Sequence, residues 1–424
     1  MLEPKRVRAQ IDLVREAVAF KKVDVDLDRY LARDERRREI LVRAEALKHA
    51  KNEASEAIGK RKKAGEDAAE AIAAMKRVGE EIKALDDELA QVEAELQALQ
   101  IWIPNVPHES VPRAEADGNR VVREVGAIRT YDFTPKPHWD LAASLGLLDF
   151  ERAGKIAGSG FLLFTGKGAR LERALLNFMI DLHVARHGYR EVWAPHLVRR
   201  DCLFATGQLP KLEGDMYQLP DDDLFLNPTA EVPITNIYRE EILDAARLPI
   251  YHVGYCASYR REAGSYGRDT RGMVRVHQFD KVELVKVVRP ETSYDEHERL
   301  LADAEDVLRA LELPYRVVLL AAGDLSFAAA KCYDLETWAP GEGRWLEVSS
   351  CSNFEDFQAR RAGIRFRNET TGKIELVHTL NASGLALPRT FATLLETHQT
   401  ERGTVAIPEA LAPYLGGLRE LTPD

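Results

Sequence analysis

From Ala64 to Leu99 the chain carries Ala64, Ala68, Ala71, Met75, Val78, Ile82, Leu85, Leu89, Val92, Leu96 and Leu99 at alternating gaps of four and three residues. A heptad repeat sustained this long commits the segment to a helix wound left-handedly against a partner helix. The preceding stretch supplies a candidate partner, with Ile40, Ala44, Leu47, Ala54 and Ile58 at compatible spacing and Lys51 as an interruption. Arg29 to Lys63 holds twelve Lys or Arg against six Asp or Glu, whereas Ala64 to Gln100 holds three against ten. Opposite charge favours pairing the two stretches with each other. The spacing predicts an antiparallel hairpin over about residues 27–100, turning near Lys63-Ala64-Gly65 and reaching roughly 50 Å at about 1.5 Å per residue. Dimerisation is the ordinary use of an anonymous heptad repeat. Here, however, the seam turns alanine-rich toward the turn, and the basic helix ends in Lys60, Arg61, Lys62 and Lys63, a cluster suited to phosphate contacts. A thin basic rod fits a folded RNA gripped by shape and backbone.

A chain of 424 residues exceeds one compact core and predicts two domains. Three prolines between Pro104 and Pro112 mark the boundary, giving residues 1–104 and 105–424. No apolar run approaches the roughly 20 residues needed to span a bilayer, and the charged N-terminus lacks the apolar stretch of a secretory signal. The cysteines, Cys202, Cys256, Cys332 and Cys351, show no CxxC spacing, which argues for a reducing cytoplasm and against structural zinc or disulfides. A net charge of -10 speaks against a protein coated for nucleic acid, although the arm has its own local balance.

Beyond the boundary, short strands mix with helices, an α+β pattern. Gly158-Ser159-Gly160 and Gly166-Lys167-Gly168 resemble phosphate loops but fit neither the P-loop nor the dinucleotide spacing. In Met273–Leu284, read as a strand, Val274, Val276, Val282 and Leu284 share a face suited to a core. Arg275, His277, Phe279, Lys281 and Glu283 share the other. The incoming strand adds Arg260 and Glu262 on one face. A single strand of this kind is usually a solvated sheet face; two neighbours together look like the floor of a polar site. Three further segments stand out. Asn227–Pro233 is a polar turn with Thr229 and Glu231 two residues apart. Glu347-Val348-Ser349-Ser350 offers a carboxylate and hydroxyls suited to a divalent cation, or simply a hydroxyl-rich sheet edge. Leu376–Leu380 reads as a strand, Asn381–Leu387 as a tight connection, and Pro388 as the opening of a helix. Arg389 then sits unfavourably at the positive end of that helix, unless an anionic ligand meets it there.

Together these segments resemble the class II aminoacyl-tRNA synthetases, and within them the bacterial-type seryl-tRNA synthetases. The three class II motifs match in order: the helix from Leu171 running to Pro195, Tyr259-Arg260-Arg261-Glu262 with its loop and return strand, and Gly384 to Arg389 with the following helix. The serine-type signatures are Thr229-Ala230-Glu231, the loop Gly264–Gly272, Val276-His277-Gln278-Phe279, Glu347-Val348-Ser349-Ser350 and Asn381-Ala382-Ser383-Gly384. Arg261, where serine is frequent, is a minor departure.

The resemblance implies an antiparallel β-sheet catalytic domain with flanking helices and an N-terminal coiled-coil arm that binds tRNA through Lys60, Arg61, Lys62 and Lys63. It implies ATP held by Arg260, Arg261, Glu262, Arg275, Val276, His277, Gln278, Phe279, Glu347, Val348, Ser349, Ser350 and Arg389, with Mg²⁺ on Glu347 and Ser350. L-serine falls to Thr229, Ala230, Glu231, Arg260, Glu283, Asn381 and Ser383, and catalysis to Arg260, Arg389 and Glu347. The expected partners are tRNA(Ser), tRNA(Sec) and a second copy of the chain, in the cytoplasm. Two alternatives are an adenylate-forming enzyme with another acceptor, which is expected to lack the arm, and a non-catalytic RNA-binding protein with a synthetase-like body, which is expected to lose Arg260, Glu262, Glu283 or Arg389. This chain keeps them all.

Overall fold

The computed structural model describes residues 1–65, 67–263 and 271–423, so most of the loop Gly264–Gly272 lies outside the described residues. The chain forms two compact units, Leu2–Pro104 and Asn105–Asp424, with Met1 grouped with the second. Among the described residues, no helix is long and apolar enough to cross a membrane.

Two long helices, α1 (Leu27–Lys63) and α2 (Ala69–Gln100), dominate the first unit. Asp26 starts α1 by accepting the Arg29 N–H on its carboxylate at 2.9 Å. The heptad positions Ile82, Leu85, Val92 and Leu96 are buried, as are Ile40, Ala44 and Ile58 of α1, whereas Lys51 is exposed. Ion pairs fix the direction: Arg29 meets Glu95 at 3.0 Å, Arg36 meets Glu88 at 2.7 Å, and Arg43 meets Glu81. Each seven-residue step up α1 is matched by seven residues down α2, as antiparallel helices require. Exposed pairs of this kind add little stability singly, but a slipped register would separate all three matched pairs at once. Lys60, Arg61, Lys62 and Lys63 form the exposed last turn of α1.

The second unit is built on eight strands: β1 (Arg120–Val125), β2 (Arg190–Val192), β3 (Ile250–Tyr259), β4 (Gln278–Val288), β5 (Tyr315–Leu319), β6 (Lys331–Ala339), β7 (Arg344–Asn353) and β8 (His378–Ala386). They pair in the order β1-β5-β6-β7-β8-β4-β3-β2, antiparallel except for β2 on β3. The class II pattern expected from the sequence is therefore present. Helices α3 (His138–Ser144), α4 (Gly166–His187), α5 (Ser293–Ala310) and α6 (Leu387–His398) flank the sheet. Leu175 and Phe178 of α4, Leu300 and Val307 of α5, and Phe391 and Leu395 of α6 share one core with Val282, Leu284, Leu380 and Leu385 of the strands. Gly188, in the left-handed region at φ 72°, ends α4.

Several local expectations change. The incoming strand β3 ends at Tyr259, so Arg260 and Glu262 lie past its end rather than on one strand face. The strand expected from Met273 starts only at Gln278, because residues 273–277 run as turns and bends. Asn381–Ala386 is not a connection: β8 runs through it to the start of α6. Glu231 is not in an open turn but begins the one-turn helix Glu231–Thr235.

Candidate active site

The sheet face away from the α4–α5–α6 core forms one wall of a cavity of about 520 Å³. Strand alternation brings Phe279 and Lys281 of β4 to it. Two bulges bring the rest. Leu335 of β6 pairs with Ser349 and Glu336 with Glu347, leaving Val348 as the extra residue of β7. A regular strand would turn Glu347 and Ser350 to opposite faces; the extra residue restores both to the cavity. On β8, Ser383 pairs with Glu283 and Leu385 with Val282, so Gly384 is the extra residue. Asn381, Ser383 and Ala386 consequently all line the cavity. Gly384 is closely packed: a Cβ would stand 3.1 Å from His183 Nε2 and 3.2 Å from Val282 Cγ1, so those side chains would have to give by a few tenths of an ångström.

One end of the cavity is deep and polar. Glu283 is fully buried and stands behind the wall rather than on it. Its carboxylate accepts the Asn381 amide at 2.7 Å and the Thr229 hydroxyl at 3.3 Å, and it pairs with Lys281. Lys281 also donates to Thr229 Oγ1 at 3.1 Å. Burial pushes Glu283 above the ordinary carboxylate range, while Lys281 and Asn381 pull it back. Glu231 lines the cavity, with Oε1 accepting the Gln358 amide at 2.6 Å. Burial, and next the neighbouring Glu283 charge, raise the Glu231 carboxyl to about 7.

Beyond this deep end the lining turns cationic, with Arg260 at the junction beside Pro228, the neighbour of Thr229. Arg260 donates to Pro228 O at 3.3 Å, and its guanidinium lies 5.1 Å from the centre of the Phe279 ring. Arg275 meets Glu262 at 2.8 Å. Arg389, in the first turn of α6, contacts the Glu347 carboxylate at 3.2 Å and donates to the Glu347 carbonyl at 2.8 Å and to Val274 O at 3.3 Å. These acceptors offset its position at the positive end of the helix.

Of the expected ATP residues, Arg260, Glu262, Arg275, Val276, Phe279, Glu347, Val348, Ser350 and Arg389 line the cavity; of the serine residues, Thr229, Glu231, Asn381 and Ser383 do. Arg261 instead lies over the Tyr217 ring at 5.5 Å. His277 bonds backbone groups, its N–H to Gly160 O at 2.8 Å and its ring to Arg260 O at 3.1 Å. Gln278 is exposed at the start of β4, and Ala230 is buried. Ser349 is buried and donates to Ser383 O at 2.7 Å, tying β7 to β8. Val274 lines the cavity rather than the core. Lys281, Gln208, Asp215 and Ser352 also line it and were not among the expected residues. Lys281 had a visible signal, since it shares a strand face with Phe279.

The class II tRNA synthetase core domain (G, H, P, S and T) family matches residues 215–398, and the seryl-tRNA synthetase N-terminal domain family matches residues 1–107. The serine–tRNA ligase of Caldanaerobacter subterraneus subsp. tengcongensis is 55% identical over 98% of both chains. That of Pelotomaculum thermopropionicum is 54% identical over 99% of this chain and 100% of its own. Among solved structures, seryl-tRNA synthetase from Pyrococcus horikoshii, crystallised with ATP, is 36% identical, covers 100% of both chains and has a TM-score of 0.94. The cytoplasmic serine–tRNA ligase of Naegleria fowleri, in complex with AMP, is 29% identical, covers 97% of this chain and 96% of its own, and has a TM-score of 0.87. These matches run through the arm as well as the catalytic body and lend no support to either alternative reading. The chain belongs to the seryl-tRNA synthetase family of class II aminoacyl-tRNA synthetases, and its reaction is the ATP-dependent joining of serine to tRNA.

Proposed function

We propose that ATP lies bent across the cationic end of the cavity and that serine occupies the deep polar end. The observation that carries this is one cavity with arginines at one end and a buried hydroxyl–amide–carboxylate cluster at the other. Arg260 contacts the α-phosphate and serine carboxylate, Arg275 the triphosphate tail, and Glu262 orients the nucleotide. Phe279 and Arg389 sandwich the adenine, with backbone around Val276 at its edge. Thr229, Glu231, Asn381 and Ser383 receive the serine ammonium and hydroxyl, and Glu283 holds Thr229, Lys281 and Asn381 in place.

A serine carboxylate oxygen attacks the α-phosphorus. The bond to the bridging oxygen breaks, and pyrophosphate leaves with the electron pair. The terminal ribose hydroxyl of tRNA then attacks the seryl carbonyl carbon, the bond from that carbon to the phosphate oxygen breaks, and AMP leaves with the electron pair while its phosphate takes the hydroxyl proton. Positioning and charge stabilisation carry the rate, without a side-chain general base. The Glu347 carboxylate and Ser350 hydroxyl, brought to one face by the bulge at Val348, are hard oxygen donors suited to Mg²⁺, which needs few protein ligands beside phosphate and water. When bound, that ion neutralises charge on the phosphates.

The reading extends to the arm, where Lys60, Arg61, Lys62 and Lys63 contact the backbone of tRNA(Ser) and, as the resemblance implies, tRNA(Sec). It also extends to a cytoplasmic homodimer joined around α4 and β2, beside which Trp193 stands 71% exposed.

Glu231 provides a test by pH. A raised carboxyl is protonated below its pKa and loses the negative charge that binds an ammonium, so acid weakens serine binding. The serine KM in ATP–pyrophosphate exchange is expected to rise about tenfold from about pH 8 to about pH 6. In Glu231→Gln the KM is high throughout and the slope is flat. A wild-type serine KM that does not change across this range removes Glu231 from ammonium recognition.

A further inference from the structure

Outside the cavity, His138 and Trp139 at the start of α3 meet the return end of the loop that follows Glu262. His138 is fully buried. Its Nδ1 lies 2.9 Å from Glu396 Oε1 on α6 and 3.3 Å from Glu342 Oε1. Its Nε2 accepts the Met273 N–H at 3.1 Å. The three side chains lie close enough to suggest a metal site, but donors already occupy the oxygens of Glu396. Oε1 accepts the His138 N–H at 2.8 Å, and Oε2 accepts the N–H of Gly341 at 2.8 Å and of Glu342 at 3.2 Å. The cluster is a hydrogen-bond hub: Glu342 accepts from Arg344 on one side, and His138 Nε2 is the acceptor turned to Met273.

The chain before Met273 is fitted to the same two rings. Gly272 has φ +76°, and a Cβ there would stand 2.2 Å from His138 Nε2 and 2.9 Å from Trp139 Cε3. Arg271 lies over the Trp139 ring at 4.7 Å. Immediately after Met273, Val274, Arg275 and Val276 form cavity wall, and Val274 O accepts from Arg389. Arg389 and Glu396 are both on α6, so the return segment is held at Met273 through His138 and at Val274 through Arg389.

We infer that His138, with Trp139 and Gly272, is a clasp that positions residues 273–276 for ATP, making His138 a positioning residue for the nucleotide half of the site. The inference rests on the proposed location of ATP, and it predicts an effect separable from serine binding, because the described bonds of Thr229, Glu231, Asn381 and Ser383 run to Glu283, Lys281, Gln358 and Ser349 and not to the clasp.

The test is ATP–pyrophosphate exchange with both substrates varied, alongside thermal melting of each variant. His138→Leu removes the acceptor, and Gly272→Ala crowds the clasp while leaving the buried carboxylates as they are. Each is expected to raise the ATP KM about tenfold, with the serine KM within about twofold. His138→Gln, which keeps a donor and an acceptor, recovers most of the loss. Should His138→Leu fail to fold, Gly272→Ala decides alone. Folded variants with an unchanged ATP KM, or with ATP and serine KM rising together, overturn the clasp. Phe279→Ala separates the two readings. If it raises the ATP KM while the clasp variants do not, the ATP location stands and the clasp falls; if none of the variants raises it, both fall.

Discussion

Replacing Arg260 with alanine is expected to lower serine-dependent ATP–pyrophosphate exchange by about a thousandfold, on the order of 4 kcal/mol of transition-state stabilisation. Arg260 lines the cavity between the Pro228 carbonyl and the Phe279 ring, where the proposed serine and phosphate positions converge. Charge develops on the phosphoryl oxygens and the departing pyrophosphate, so a guanidinium fixed there acts mainly on kcat. Lysine is a poor substitute, because a point charge cannot reproduce a planar guanidinium that lies over the Phe279 ring while donating to Pro228 O. The check is steady-state exchange in wild type, Arg260→Ala and Arg260→Lys, with melting curves to confirm folding. An alanine variant that exchanges at the normal rate would mean that the α-phosphate is held elsewhere.

Deleting residues 27–100 is expected to leave serine-dependent exchange within about threefold of wild type while reducing charging of tRNA(Ser) by at least about a hundredfold. The segment comprises α1, α2 and their turn, and none of its described residues lines the cavity. Adenylate formation needs only the sheet, whereas transfer needs tRNA held near it. A milder version replaces Lys60, Arg61, Lys62 and Lys63 with glutamine. The tRNA KM should then rise and its salt dependence flatten, since each lost phosphate contact releases fewer counterions. Normal charging by the deletion variant would contradict the role given to the arm.

The arm was the most legible part of the sequence, because a helix repeats its contacts every few residues and the charges of Arg29, Arg36 and Arg43 have visible partners in Glu95, Glu88 and Glu81. The cavity floor was half legible. Alternation in β4 puts Phe279 and Lys281 on one face, but it cannot show how deep a residue on that face lies. Glu283 has the right parity and yet sits behind Thr229, Lys281 and Asn381. The bulges at Val348 and Gly384 were hidden for another reason: one unpaired residue resets parity, and pairing register is a property of two strands. Reading Asn381–Leu387 as a connection followed from its small and polar residues, whose local preference the flanking strands override. His138 lies in no recognisable pattern; its partners come from Glu342, Glu396 and Met273, more than a hundred residues away.

The central claim is that one cavity holds both halves of seryl-adenylate, with the nucleotide at the arginine end and serine in the buried cluster. A crystal structure with a non-hydrolysable seryl-adenylate analogue tests it most directly. The account predicts the adenine between Phe279 and Arg389, the phosphate mimic on Arg260, and the seryl ammonium and hydroxyl among Thr229, Glu231, Asn381 and Ser383. An analogue bound off this face of the sheet, or bound with its seryl end among the arginines, would contradict it.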